Sequence, residues 1–196
     1  MKIIITSIAM LGILLPGMAQ NVKTTFQTSS HWKPTIDVRA DAVMVYGTGS
    51  SPQISFQERV DSWRKQGYTT HFMTGIAWGG YSDYFTGKWD GKQHMDEGQK
   101  DMKGDTIVHN PGTPYIVPTL NYLKFFKETQ IKPVIDAGIR EIFLEEPEFW
   151  AFAGYSESFK REWQAYYGFP WRAQHLSAEN TYLSNKLKYH LYYRAL

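Results

Sequence analysis

The stretch EIFLEEPEFW, residues 141–150, decides how this chain is read. Ile142, Phe143 and Leu144 have strand character and run straight into Glu145, Glu146, Pro147 and Glu148, then into Phe149 and Trp150. Three carboxylates in four residues repel one another. A chain that sets them at the end of an apolar strand has a use for them.

Working outward, residues 142–144 are the third of three short apolar strands. The first is the run 42–46, closed by Gly47 and Gly49, and the second spans 69–77. Between them, Ser55 and Glu58 stand at capping-box spacing and Phe56, Val60 and Trp63 recur every three to four residues up to Gly67, which predicts an amphipathic helix. Residues 79–118 carry no periodicity, a long loop of the kind that is functional or disordered, and its aromatic content argues against disorder. Helical spacing resumes through Tyr122, Leu123, Phe126 and Ile131, with a kink expected near Pro133 and a stop at Gly138. Further helices are expected from Ser156 to Gly168 and from Ser177 to the last residue, with no repeat anywhere in the chain.

Strands alternating with amphipathic helices predict an α/β fold with a parallel sheet. The last helix reaches Leu196 without a stop signal, and three strands leave an exposed edge. The expectation is the N-terminal part of a (β/α)8 barrel, incomplete in this chain.

At 196 residues, 42% apolar and with a formal charge of +2, the chain suits one domain with a full core. Its Lys and Arg are scattered, which argues against a nucleic-acid partner. The first 19 residues combine Lys2, an apolar run over 3–15, Pro16 and the small residues Gly17 and Ala19, the layout of a secretory signal peptide cleaved after Ala19. The run is shorter than the roughly 20 residues of a membrane-spanning helix, so no anchor is expected after cleavage. Export to the periplasm or beyond is the expectation. Residues 20–35 read as a loose lead-in and 36–196 as the barrel-type domain. With no cysteine, no disulfide or lipid attachment is available.

In parallel βα architectures ligands bind at the carboxyl ends of the strands, and every unusual feature here falls there. Glycosidic bond cleavage needs two carboxyl groups, one protonated and one ionised, and crowded carboxylates raise one another's proton affinity. Glu146 is the first candidate for catalysis and Glu148 the second, with Glu145 beside them, while Pro147 makes neighbouring side chains diverge. Capping, pairing with a cation or plain solvation would explain the same acids. Phe149 and Trp150 are candidates to bound the pocket, Trp78, Tyr81, Tyr84 and Trp89 to stack on sugar rings, and Asp83, Asp90, Asp96 and Glu97 to bind hydroxyls or supply a second carboxylate. A self-packed loop is the alternative for each. The six histidines show no metal-ligand spacing, and phosphate-loop, dinucleotide and nucleophile-elbow motifs are missing.

The leader, MVYG (44–47), FMTGIAWGGYSDYFTGKWDG (72–91) and above all IFLEEPEFWAFAGYSESFKREWQAYYG (142–168) resemble the N-terminal portion of exported bacterial glycoside-hydrolase-like proteins with a (β/α)8 barrel. The resemblance implies hydrolysis of a poly- or oligosaccharide without an organic cofactor. It also shows a departure. In the large clan whose acid/base glutamate lies in an Asn-Glu-Pro-type motif on the fourth strand, an Asn precedes the Glu; here Glu145 stands in its place, on what counts as the third strand. Two assignments stay open: Glu146 as that acid, or the run as substrate-binding with the catalytic pair on strands beyond Leu196. The rival from another class is a carbohydrate-binding protein without catalysis, or an inactive barrel remnant.

Overall fold

The computed structural model describes residues 22–49, 54–79 and 81–194. The leader expected over residues 1–19 lies outside them. The strands are β1 (Thr25–Thr28), β2 (Ala42–Tyr46), β3 (Thr69–Gly75), β4 (Val108–Asn110), β5 (Thr113–Pro114) and β6 (Ile142–Glu145). The helices are α1 (Phe56–Arg64), α2 (Ser82–Phe85), α3 (Leu120–Phe126), α4 (Lys132–Asp136), α5 (Glu157–Tyr167) and α6 (Ala178–Tyr193). Among the described residues, β1, β2, β3 and β6 form one parallel sheet in that order, and β4 and β5 a separate antiparallel hairpin. The sheet runs in chain order, so each new strand is added on the same side of the last. No helix among the described residues is long and apolar enough to cross a membrane.

The register sorts the side chains into two faces. Val45 lies opposite Phe72 and Phe72 opposite Ile142, so the three share a face, and Phe56, Val60 and Trp63 of α1 with Val134 of α4 pack against it. The other face carries Gln27, Met44, His71, Met73, Phe143 and Glu145. Tyr46 and Phe143 on it remain 41% and 43% exposed. One face is therefore a core and the other is open.

Three expectations change. Residues 25–28, read as part of a loose lead-in, are the edge strand β1: Phe26 turns inward against Trp63 and Tyr68, while Thr25 and Gln27 face solvent. Four residues with a single large apolar side chain give too short an alternation to recognise. With β1 counted, the acidic strand is the fourth of the parallel sheet rather than the third. Finally, the 79–118 segment is not a free loop. It holds α2 and the β4–β5 hairpin, and its Tyr81, Tyr84, Phe85, Tyr115 and Ile116 join Tyr122, Phe125 and Phe126 of α3 in a core of their own.

The kink expected near Pro133 takes a specific form. Proline has no N–H to give the carbonyl four residues back and its ring crowds that carbonyl, and the chain widens into a π-helical stretch, Lys127–Ile131, before α4. The freed Thr129 carbonyl accepts from the Thr48 hydroxyl at 2.9 Å, which ties the helix to the loop after β2.

That same loop is clamped by Arg59. Its guanidinium is buried and reaches the carbonyls of Ser29 (2.8 Å), Tyr46 (3.0 Å) and Gly49 (2.9 Å), and that of Gly47. One side chain on α1 thus pins the carboxyl ends of β1 and β2. Replacing it removes a charged donor from four carbonyls at partly exposed strand ends, so Arg59→Met is expected to lose about 2 kcal/mol in urea unfolding. An unchanged midpoint would mean that water satisfies those carbonyls.

A second prediction comes from the phenols. Burial pushes Tyr81, Tyr84, Tyr122 and Tyr192 above the ordinary tyrosine value. Both states keep these protons below the unfolded value of about 10; above it the unfolded chain releases them first, so stability falls as pH rises. Urea midpoints between about pH 10.5 and 11.5 are expected to drop steeply. A flat profile would contradict the burial.

Candidate functional site

The acidic stretch leaves β6 through a sharp turn. Glu145 still pairs with Gly75 of β3, Glu146 adopts φ of +47°, and the Glu148 N–H donates back to the Glu146 carbonyl at 2.7 Å across Pro147. A residue with a Cβ in the left-handed region costs roughly 1–2 kcal/mol, and strain of this kind gathers at functional sites.

The turn fans the three carboxylates apart, as expected of Pro147. Glu145 lines a cleft of about 500 Å³. Glu146 accepts a hydrogen bond from Trp78 Nε1. Glu148 faces the Tyr115 hydroxyl, and burial first, then this carboxylate, push the Tyr115 phenol up. Glu146 also pushes the Tyr115 phenol up electrostatically, so the second and third acids share that neighbour.

The cleft lies at the carboxyl ends of the parallel strands, on the open face. Gln27, Tyr46, Met73 and Glu145 contribute from the four strands, and Thr48 and Gln130 from the rim. The rim pair is joined, with the Thr48 hydroxyl 3.1 Å from Gln130 Oε1. Trp78 forms another wall. The chain doubles back so tightly there that a Cβ on Gly75 would come within 2.5 Å of the Trp78 carbonyl oxygen, so only glycine fits. On its other side Trp78 is stacked flat on His109 of β4, with centroids 3.9 Å apart. His109 Nδ1 lies 3.2 Å from the Tyr115 hydroxyl. The hairpin thus backs the tryptophan that holds Glu146.

The backbone behind the acids is fixed from within the protein. Gln99 is fully buried, donates to the carbonyls of Glu148 (2.9 Å) and Ile116 (3.0 Å), and accepts from the Trp150 N–H (3.1 Å). The Tyr192 hydroxyl adds a bond to the Glu148 carbonyl at 2.9 Å.

The other sequence candidates divide. Trp78 reaches the cleft and touches Glu146. Tyr81 borders the cleft but is 3% exposed, its hydroxyl given to the Gly75 carbonyl and its ring held edge-on by Tyr122 and Phe125. Tyr84 is fully buried, stacked on His94 and bonded to Glu97, so it has no free face for a ligand ring. Its stacking role is corrected to core packing. Trp89 packs edge-on against Phe125 and donates to Glu128 at 3.2 Å, away from the cleft lining. Asp90 binds His94 at 3.0 Å and the Lys92 N–H at 3.0 Å, a structural use. Asp83 sits on the surface beside Lys88 at 3.4 Å. Trp150 meets Tyr115 edge-on at 5.6 Å and stays partly exposed beyond the acids.

His109, Tyr115 and Gln99 were not among the sequence candidates. A signal existed for the first two: Pro111 followed by Gly112, whose φ is +81°, marks a turn between two extended runs. Among the described residues no three His, Asp or Glu side chains come together to hold a metal.

The left-handed backbone at Glu146 gives a direct test. Glu146→Ala keeps the Cβ and loses the bond from Trp78, whereas Glu146→Gly loses the bond but relieves the backbone. The glycine variant is expected to be the more stable of the two by about 1 kcal/mol in thermal or urea unfolding; the reverse order would show that residue 146 is not left-handed in solution. Compared with known proteins, this chain matches no family model, no curated protein and no solved structure.

Proposed function

We propose that this chain is the N-terminal portion of a (β/α)8-barrel glycoside hydrolase, exported by its leader, that acts on a poly- or oligosaccharide through carboxylate acid/base chemistry. The observation that carries the reading is the fan of Glu145, Glu146 and Glu148 at the carboxyl end of the fourth parallel strand, beside a cleft on the open face. Parallel strands in chain order, with helices packed on one face and polar groups on the other, suit a sheet that curls toward closure. The fourth-strand position also removes one of the two departures from the Asn-Glu-Pro-type pattern; the other, Glu145 in place of Asn, remains.

In this reading Glu145 meets the sugar from the cleft wall. Glu146, held by the Trp78 indole, is poised to exchange that bond for one to a glycosidic oxygen. Trp78 offers an aromatic wall for a pyranose ring, as tryptophan does where one face is apolar and its N–H is engaged. The second carboxylate required for hydrolysis comes from strands that complete the barrel.

A second reading has an observation of its own. Among the described residues Glu145 is the one acid that lines the cleft, and a lone carboxylate suits sugar binding without bond cleavage.

A panel of polysaccharides and aryl glycosides separates the two. For a hydrolase, Glu146→Gln in the full-length barrel is expected to lower kcat by about 10²-fold or more with binding largely kept. Affinity lost in Glu145→Gln, with no turnover by the unaltered full-length protein, would support the binding reading. Neither turnover nor binding across the panel would overturn both.

A further inference from the structure

A second cavity, of about 480 Å³, opens on the far side of the acidic turn. Pro147 and Phe149 form one wall, and Asn185, Tyr189 and Tyr193 of α6 the other, with Lys188 between them. Tyr189 and Tyr193 are 62% and 56% exposed, their rings 4.1 Å apart, so an aromatic edge faces solvent.

Lys188 is the anomaly in this groove. It is 4% exposed, and its ammonium donates to the Ala151 carbonyl at 2.7 Å and to Gln174 Oε1 at 2.9 Å. An ammonium has three donors, so one remains. The Phe149 ring stands 5.7 Å from the nitrogen. Among the described residues no carboxylate pairs with it, and burial alone pulls it down to about 8. Buried cations are normally paired, because an uncompensated charge in an apolar site is costly. A surface lysine or a plain methionine would fill the space without that cost, and the groove beside the nitrogen is large enough for a ring-sized molecule.

We propose that this groove is a second binding site, which takes a ring-bearing carboxylate: the anion pairs with the Lys188 ammonium, and the ring lies between Phe149 and the Tyr189 and Tyr193 pair. Asn185 at the mouth offers a donor and an acceptor to polar substituents of that ring. The ligand supplies the charge that the protein withholds. The chemistry has two sources, a uronic-acid sugar or an aromatic acid, and both place one carboxylate on one flat or stackable ring. The proposal does not rest on the hydrolase reading, since the groove shares no lining residue with the cleft.

Isothermal titration of the whole chain with D-glucuronate and benzoate, each beside its neutral counterpart methyl glucoside or benzyl alcohol, tests the idea. At least one carboxylate is expected to bind at least about tenfold more tightly than its neutral partner. Glucuronate alone identifies the uronate source, and benzoate alone the aromatic one. Lys188→Met, confirmed folded by circular dichroism, is expected to abolish this preference, and Tyr189→Ala to weaken binding. Should Lys188→Met fail to fold, the charged-to-neutral ratio and Tyr189→Ala decide. Equal affinity for charged and neutral ligands, no binding of either carboxylate, or a folded Lys188→Met that binds like the unaltered chain would each overturn the proposal. A preference for the carboxylate that survives in folded Lys188→Met but is lost in Glu145→Gln would assign the signal to the cleft and overturn the proposal, which keeps the two sites distinguishable.

Discussion

The position of the acidic turn depends on the buried amide of Gln99. Three of its hydrogen bonds meet backbone groups in two different segments, at Ile116 on one side and at Glu148 and Trp150 on the other. The same Nε2 also lies 3.2 Å from the Tyr192 hydroxyl on α6, which shares its two N–H groups with the carbonyls. Backbone that turns out of a strand has no ladder to satisfy it, and buried carbonyls without donors are expensive. Gln99 and Tyr192 fill that need, so the 145–150 segment keeps one conformation even though three like charges and a left-handed residue work against it. The long segment after β3 is therefore the support of the site as well as one of its walls.

The two faces of the sheet divide the labour. Stability resides on the side of α1 and α4, where Trp63, Phe72 and Val60 are buried completely. The cleft lies on the other, where the strand ends offer polar groups and partly exposed side chains to a common space. Two devices hold those strand ends in place: the Arg59 guanidinium from below and the Thr129 carbonyl that Pro133 leaves free. Both act on the loop after β2, which has little apolar surface of its own to anchor it.

Much of this was legible in the sequence, for physical reasons that differ by element. The β2–α1–β3 unit announces itself through a capping box, present at Ser55 and Glu58, and a clear apolar period, whose Phe56, Val60 and Trp63 are buried. The divergence of the glutamates follows from the fixed φ of Pro147. What escaped were features carried by few residues or by distant ones. β1 shows a single inward aromatic, Phe26, and earns its place only by pairing with β2. Gln99 is an unremarkable polar residue in sequence, and its role exists only because three remote segments converge on it. Tyr84 lies in the core of the loop and Trp89 packs against it, because aromatic residues in a loop serve two ends equally well, covering a ligand or building a core, and here the loop is long enough to need a core of its own.

The sheet order carries one more consequence, for the way the molecule assembles. β1, β2 and β3 lie within about fifty residues of one another, whereas the pairing of Phe72 with Ile142 closes a loop of about seventy. Contacts that distant are slow to form because the chain must first lose the entropy of closing the loop. The α1 side can condense early as a local unit, and β6 with its carboxylates joins at the edge once the long segment has folded around Gln99. The catalytic candidates thus sit on the last of the four strands to join, which ties the geometry of the site to the folding of the segment between β3 and β6.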